Sequence, residues 1–501
     1  MKFKPRYLIL FVLFVLYFGF RLYFSSQTPY FNDDKSYFSL RQIENIAETG
    51  KPISNDNLFQ SDREFAILPL YYYIMTPAVL FSNEIIAIKI INNFLASLLI
   101  LGVYLITSQI LKNRKISLIC SVLAAFSPAY INQTLNRLNE FSILIPACLF
   151  LFYFYLRLEN NPKTINYIIP LTVFLLLSSA ASIIVILGIV FYFILNYIED
   201  KKLSRYEIEY SYFIILFYLW IILIIYKTSF QEFGHNVIFS NIPTNLIPYL
   251  YPPLNFFNIL TNIGLLPLIL GFVTMFSYLF IQKSKAILFF IGQLTSVFLL
   301  LLFKLIRIEL GLIFISLIFV ILFGKFLQDS LVYTKKTKFE KHINLYLIII
   351  SIILCLIQVV PGYFVMRNNT NEGFSSEYIK GFMFLNNLSS DSIILGLPKE
   401  GHLITYFGHK KNIIDTHYIS IKDSDQRYTD VIQFYSENFK IPALRILEKY
   451  NASHFIVSKS ISEYNISKIS FIPDECFKLI FNESIQIYEI RKDICKIQNE
   501  K

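Results

Sequence analysis

Apolar residues in this chain gather into long runs that carry almost no charge. Residues 7–20 (YLILFVLFVLYFGF), 286–303 and 344–360 each approach the ~20 residues that a helix needs to cross hydrocarbon. Runs of this kind predict about eleven transmembrane helices, at 7–25, 85–111, 116–131, 141–158, 165–179, 181–198, 209–226, 257–281, 286–303, 309–328 and 343–364. The run from 165 to 198 would make a helix of ~51 Å, too long for one crossing, so it is read as a hairpin turning at 178–182. Residues 66–82 are apolar but interrupted by Pro69 and Pro77, which predicts an interfacial or re-entrant helix. Residues 36–48 carry apolar side chains at Tyr37, Leu40, Ile43, Ile46 and Ala47, the period of a helix lying on the membrane surface.

The pattern changes near residue 365. Beyond it the apolar runs are strand-sized, at 392–398, 402–407, 412–415 and 454–459, with a helical stretch at 440–450. The expected architecture is mainly α: a polytopic helical bundle over 1–364 whose first outside loop is 26–84, followed by a small α/β domain over 365–501.

Composition supports this reading. Hydrophobic residues make up 55% of the 501 residues and aromatic ones 17%, above the ~45–50% apolar usage of soluble domains. A net charge of +10 could suggest a nucleic-acid partner, but the basic residues follow the spans instead. Lys2, Lys4 and Arg6, then Lys112, Arg114 and Lys115, then Lys201, Lys202 and Arg205, then Lys335, Lys336, Lys338 and Lys341 all fall on one side. The positive-inside rule makes that side cytoplasmic, so the chain is expected in the cell membrane, N-terminus in, with the end domain outside and no nucleic acid bound. The first run is expected to stay as a span, since Arg21 and Tyr23 follow it in place of a small-residue cleavage site. Cys120, Cys148 and Cys355 fall inside spans, whereas Cys476 and Cys495 lie in the end domain, where a disulfide can form.

Candidate chemistry gathers at the outside mouths of the spans. Asp33 and Asp34 sit just past the first span, where adjacent carboxylates can deprotonate a hydroxyl or hold a divalent cation. Neighbouring side chains point to opposite faces, so one of the two would enter a common site; the alternative is a solvated acidic loop capping the helix that follows. Glu140, near Arg137 and Asn139 at the mouth of the fourth span, is either a site member or an acid favourable to the helix dipole. Lys304 and Arg307 lie between two nearly charge-free spans and suit a lipid phosphate or diphosphate, or else snorkel to headgroups or pair with Glu309. His235, in the outside loop 227–256 with Glu232, is read as structural. No metal-spacing motif and no internal repeat occurs.

The loop PYFNDDKSYFSLRQIENIAETGKP, at 29–52, resembles the first external loop of the membrane-embedded GT-C glycosyltransferases. That superfamily includes the catalytic subunit of oligosaccharyltransferase, protein O-mannosyltransferases and lipid A aminoarabinose transferase. The run Pro69-Leu70-Tyr71-Tyr72-Tyr73, the span entered at Arg307 and the stretch RILEKYNASHFIVS are similar to archaeal and bacterial members. The WWDYG signature of oligosaccharyltransferase is absent, and its Asp-Asn-Glu triplet is replaced by Leu138, Asn139 and Glu140; a single-sugar transferase fits these departures best.

The resemblance implies an inverting transferase that moves a sugar from a polyprenyl-phosphate donor, held among membrane lipid, to a protein, lipid or glycan acceptor on the outer face. Asp33 or Asp34 would be the base, with Asp34 also a candidate ligand for a divalent cation (Mg or Mn) and Glu140 a secondary member. Arg307 with Lys304 would neutralise the leaving phosphate. Hydropathy alone equally allows a transporter or lipid-linked-sugar flippase, but the paired halves and mid-membrane ionisable residues expected of a transporter are not evident. A scaffold whose end domain docks surface proteins, and a polymerase or ligase of surface glycans, are further rivals.

Overall fold

The computed structural model describes residues 5–252, 255–464, 466, 469–472 and 475–491. The chain forms two compact units, one of residues 1–28, 68–225 and 251–372, the other of 29–67, 226–250 and 373–501. The first loop therefore divides: its segment 29–67 folds with the C-terminal residues, not with the bundle as the expected boundaries have it. The boundary expected at 365 falls at 372, because the helix Val360–Asn371 runs on past the change in composition.

The first unit is helical, and among the described residues nine helices are long and apolar enough to cross a membrane. They coincide with nine of the expected spans. The other two are special cases: Arg114–Ala125 and Pro128–Thr134 form one pair bent by 50°, broken just before Pro128, and Pro162–Ser178 is a shorter apolar helix. The segment Leu70–Leu80 is also too short to cross, in keeping with an interfacial or re-entrant helix. The span expected at 257–281 breaks at Gly264, whose φ of +94° separates Phe256–Ile263 from Leu265–Ser277.

Ile308–Lys335 is the central helix of this unit. From Leu310 to Gly324 it is buried on every face, and 89% of its apolar stretch is buried, as expected of a helix surrounded by others. Helices Ile183–Ile198 and Lys285–Leu302 approach closely at Gly292, where a Cβ would lie 2.8 Å from the Gly188 carbonyl oxygen and the Tyr192 nitrogen. With no hydrophobic effect between helices in lipid, such backbone approach is a main source of packing energy.

The second unit holds a short hairpin of β1 (Asn55–Asp56) and β2 (Arg63–Glu64), and a five-stranded sheet of β3 (Ile393–Leu395), β4 (Lys411–Asn412), β5 (His454–Ser458), β6 (Phe477–Asn482) and β7 (Ile485–Ile490). The order is β4-β3-β5-β7-β6; β3 runs parallel to β4 and β5, and β7 is antiparallel to β5 and β6. Phe434, Tyr435, Phe455 and Leu395 fill its core. The helix expected at 440–450 is present as Lys440–Lys449. Cys476 is disulfide-bonded; Cys495 lies outside the described residues.

Two expectations are corrected here. Residues 402–407 are a helix, Gly401–Phe407, and not a strand. The apolar run LITYF suits either structure, and a tertiary contact at its N-terminus, described below, decides the matter. The apolar face of the helix Asp34–Thr49 is buried in protein instead of resting on a lipid surface: Tyr37, Leu40 and Ile43 are fully buried, and the Tyr37 ring packs 5.0 Å from Phe407 and 5.4 Å from Tyr406.

Candidate functional site

Asp33 and Asp34 part ways at the start of a helix. Asp33 is the N-cap, with extended backbone (φ −132°, ψ 149°), half-buried, and its carboxylate accepts the Ser36 hydroxyl. Asp34 is the first helical residue and its side chain turns inward, 5% exposed. Its Oδ1 accepts the backbone N–H groups of His402 at 2.9 Å and Leu403 at 3.0 Å, and its Oδ2 accepts the Thr416 hydroxyl at 3.3 Å. Asp34 thus satisfies two of the donors left open at the start of the helix Gly401–Phe407.

Behind Asp34 lies a buried chain of ionisable groups. His402 Nε2 is 3.9 Å from Asp34 Oδ2, and its Nδ1 is 3.7 Å from Asp415 Oδ2. Arg63 binds Asp415 with both terminal nitrogens, one at 3.0 Å, and reaches Asp56 through Nε at 3.2 Å and a terminal nitrogen at 3.0 Å. Asp56 is paired in turn with Arg41. Arg63 lies between the rings of Phe59 and Phe65, at 4.2 and 4.6 Å. This bidentate, ring-flanked geometry suits a guanidinium and no other cation.

The electrostatics of the chain are lopsided. Burial alone would raise Asp415, but the Arg63 guanidinium outweighs it and holds the carboxyl far below the usual range. Asp56 is lowered in the same way by Arg41 and Arg63 against its burial. Burial raises Asp34 well above the ordinary carboxylate range, reinforced by the charge of Asp415 and only partly offset by the two N–H groups. Burial also pushes His402 down to about 4, so its imidazole is neutral at pH 7.

A divalent cation does not fit at Asp34. Both of its oxygens accept hydrogen bonds from amide or hydroxyl donors, and Asp415, on the far side of His402, is committed to Arg63. Among the described residues no three His, Cys, Asp or Glu side chains converge as a metal site.

The other expected site residues lie in the helical unit. Glu140 is the N-cap of the helix Phe141–Leu158, its carbonyl accepting the Leu144 N–H at 2.9 Å. Lys304 and Arg307 share the turn before Ile308–Lys335; both are exposed, and Arg307 is the N-cap. Lys304 has φ +56°.

The same unit holds two buried cations that the sequence reading did not single out. Arg21 is fully buried and donates to Asn93 Oδ1 (3.0 Å), the Tyr17 hydroxyl (3.2 Å) and Thr134 Oγ1 (2.9 Å), all neutral acceptors. Lys89, 4% exposed, donates to the carbonyls of Ser25 (3.0 Å) and Thr28 (2.6 Å). A charged residue inside an apolar span is a signal for both. Nothing comparable marks Arg63, His402 or Asp415, which meet across some 350 residues of chain.

No family model matches the chain, and no curated protein matches it. Solved structures do. The oligosaccharyltransferase of Archaeoglobus fulgidus, in complex with Zn and sulfate, superposes with a TM-score of 0.65 at 12% identity over 96% of this chain and 74% of that one. The same archaeal enzyme, AglB, in complex with an inhibitory peptide and a dolichol-phosphate, gives 0.64 at 12% identity over 90% and 70%. ArnT from Cupriavidus metallidurans, bound to undecaprenyl phosphate, gives 0.56 at 10% identity over 97% and 99%. At these identities the likeness carries architecture and not residues: the chain is a multi-pass membrane protein with the GT-C fold.

Proposed function

We propose that this chain is a membrane glycosyltransferase that moves a sugar from a polyprenyl-phosphate donor to an acceptor hydroxyl on the outer face of the membrane, with Asp33 as the base. The observation that carries the reading is the fold shared with AglB and ArnT, two structures whose bound lipids are polyprenyl phosphates. The choice between the two aspartates rests on their surroundings. Asp34 is spent on the helix Gly401–Phe407, and burial raises its carboxyl well above the ordinary carboxylate range. Asp33 keeps a half-buried carboxylate at the head of its own helix, Asp34–Thr49.

In this mechanism the acceptor oxygen attacks the anomeric carbon as the carbon–oxygen bond to phosphate breaks, inverting the centre, and the hydroxyl proton passes to Asp33. Phosphate departs as an anion, so its charge must be neutralised; the exposed Arg307 and Lys304 are the proposed groups, in place of a general acid. Glu140 is assigned a secondary, orienting part. Asp34 acts through position, by tying the first loop to the helix that begins at Gly401.

The test is sugar transfer by the purified protein from labelled polyprenyl-phosphate donors. Asp33→Asn should lose about 10² to 10⁴ in rate, the usual cost of removing a general base, while Asp34→Asn keeps most of it. The opposite ranking would reassign the base to Asp34. Movement of lipid-linked sugar across proteoliposomes, with no transfer from any donor, would replace the enzyme by a flippase.

A further inference from the structure

The second unit contains a cavity of about 610 Å³ that does not include Asp33 or Asp34. Its size falls within the roughly 300–1,000 Å³ of small-molecule sites, but such sites are mostly apolar and this one is not. Its walls are carboxamides, carboxylates, hydroxyls and the cations Arg63 and Lys422, drawn from three separate stretches of chain, the β1–β2 hairpin, the helix Lys227–Phe233 and residues 420–422.

The local structure explains why these groups face the cavity. In the hairpin, alternation turns Asp56 and Arg63 inward, where they pair, and turns Asn55 and Glu64 outward. Asp62, with φ +40°, holds the turn beside them. On the helix, Thr228, Gln231 and Glu232 are spaced i, i+3 and i+4, so they share a face. Glu232 is anchored by Lys422 at 2.6 Å. Arg63, itself on the cavity wall, clamps the hairpin to Asp415, so the site is held rigid before any ligand arrives.

One observation points directly to a ligand. Ser420 is 4% exposed and lines the cavity, yet its Oγ has no hydrogen-bond partner among the described residues. Leaving a buried hydroxyl unsatisfied costs free energy, and native structures seldom do it without a reason. Asn55, Asn57 and Gln231 on the same wall are exposed, so their amides can turn toward a ligand.

We propose that this cavity binds a saccharide unit. Amides offer a donor and an acceptor together, carboxylates accept from vicinal hydroxyls, and hydroxyl side chains do both; that mixture matches a ring of hydroxyls, each of which is also donor and acceptor. A bare cation would require converging carboxylates, and no such group exists among the described residues. Resting on the glycosyl-transfer reading, the bound unit is the acceptor's sugar, which makes the acceptor a glycan or glycolipid and not an unglycosylated peptide.

The test uses the full-length protein in lipid nanodiscs and a panel of free mono- and disaccharides (glucose, mannose, galactose and N-acetylglucosamine types), read by saturation-transfer NMR. The variant is Asn57→Ala with Gln231→Ala, both exposed and outside the core, with thermal unfolding as the check on folding. At least one saccharide should bind wild type, and the double variant should bind it about 10-fold more weakly, as two lost hydrogen bonds imply. Ser420→Ala should weaken it as well. No saccharide binding, or binding unchanged in the variants, overturns the proposal. Transfer assays separate the two readings: variants that raise acceptor KM and leave donor hydrolysis intact support the cavity as acceptor site, whereas transfer with unchanged acceptor KM rejects it and leaves the glycosyltransferase standing. Saccharide binding by a protein that transfers no sugar keeps the cavity as a saccharide site and rejects its role as acceptor site.

Discussion

The Asp34 carboxylate accepts the backbone N–H of His402 at 2.9 Å, joining residues 368 apart in sequence. With Leu403 on the same oxygen, one side chain from the first loop caps a helix of the C-terminal residues. Replacing that carboxylate tests how much the cap contributes. Asp34→Ala should lower stability by about 1–2 kcal/mol, the usual cost of a lost cap. Asp34→Asn keeps an acceptor oxygen and should lose far less. Thermal unfolding of the purified variants reads the difference, and equal losses would show that the cap is not what Asp34 provides.

Asp34 also sets a pH dependence. Its carboxyl is raised in the folded state, so the folded protein binds a proton more tightly there than the unfolded chain does. The group's contribution is therefore fully present below the ordinary carboxylate pKa and is lost as pH rises through its folded value. Asp34→Asn cannot ionise and should be stabilised relative to wild type as pH rises. Parallel curves for the two proteins across pH 4–9 would contradict this.

His402 acts in the opposite sense. Burial lowers it from 6.5 to about 4, so the unfolded chain takes up the proton first as pH falls. Stability should decline between pH 6.5 and 4, by up to roughly 3 kcal/mol at 1.36 kcal/mol per unit. His402→Gln should flatten that slope, as measured by denaturant unfolding at several pH values.

Arg63 compensates two buried carboxylates, Asp56 and Asp415. Arg63→Met leaves both without it and should cost about 3–5 kcal/mol. Arg63→Lys should recover little, since one ammonium cannot reproduce the forked contacts to two acids. Recovery of wild-type Tm by lysine would show that charge alone matters there.

In the helical unit, Gly292→Ala would press a methyl group against the backbone of the helix Ile183–Ile198. Overpacking of this kind typically costs 1–3 kcal/mol. Loss of Tm in detergent or nanodiscs checks it, and an unchanged Tm would mean that the two helices part without penalty.

Much of the bundle was legible because a span needs only length and apolarity, which are local. The runs around 286–303 and 309–328 return as the helices Lys285–Leu302 and Ile308–Lys335. The break expected at 178–182 is likewise observed, between Ile165–Ser178 and Ala180–Ile198. The closing hairpin of β6 and β7 went unread, although FKLIFN and IQIYEI around Glu483 and Ser484 carry strand-forming residues. The run LITYF was misread as a strand because its propensities do not distinguish strand from helix, and the contact that decides comes from Asp34.

What the sequence determined by itself was periodic and local: the membrane spans, the amphipathic face of 36–48, the boundary region near 365 and the pair of aspartates at the head of the first loop. What only tertiary structure decided was the division of labour at that pair. Which of two adjacent carboxylates is buried depends on donors that arrive from residues 402, 403 and 416, and their number and distance leave no trace in the local pattern. The same holds for the chain from Asp34 to Arg41, since desolvation and charge pairing are properties of a folded neighbourhood and not of a sequence window.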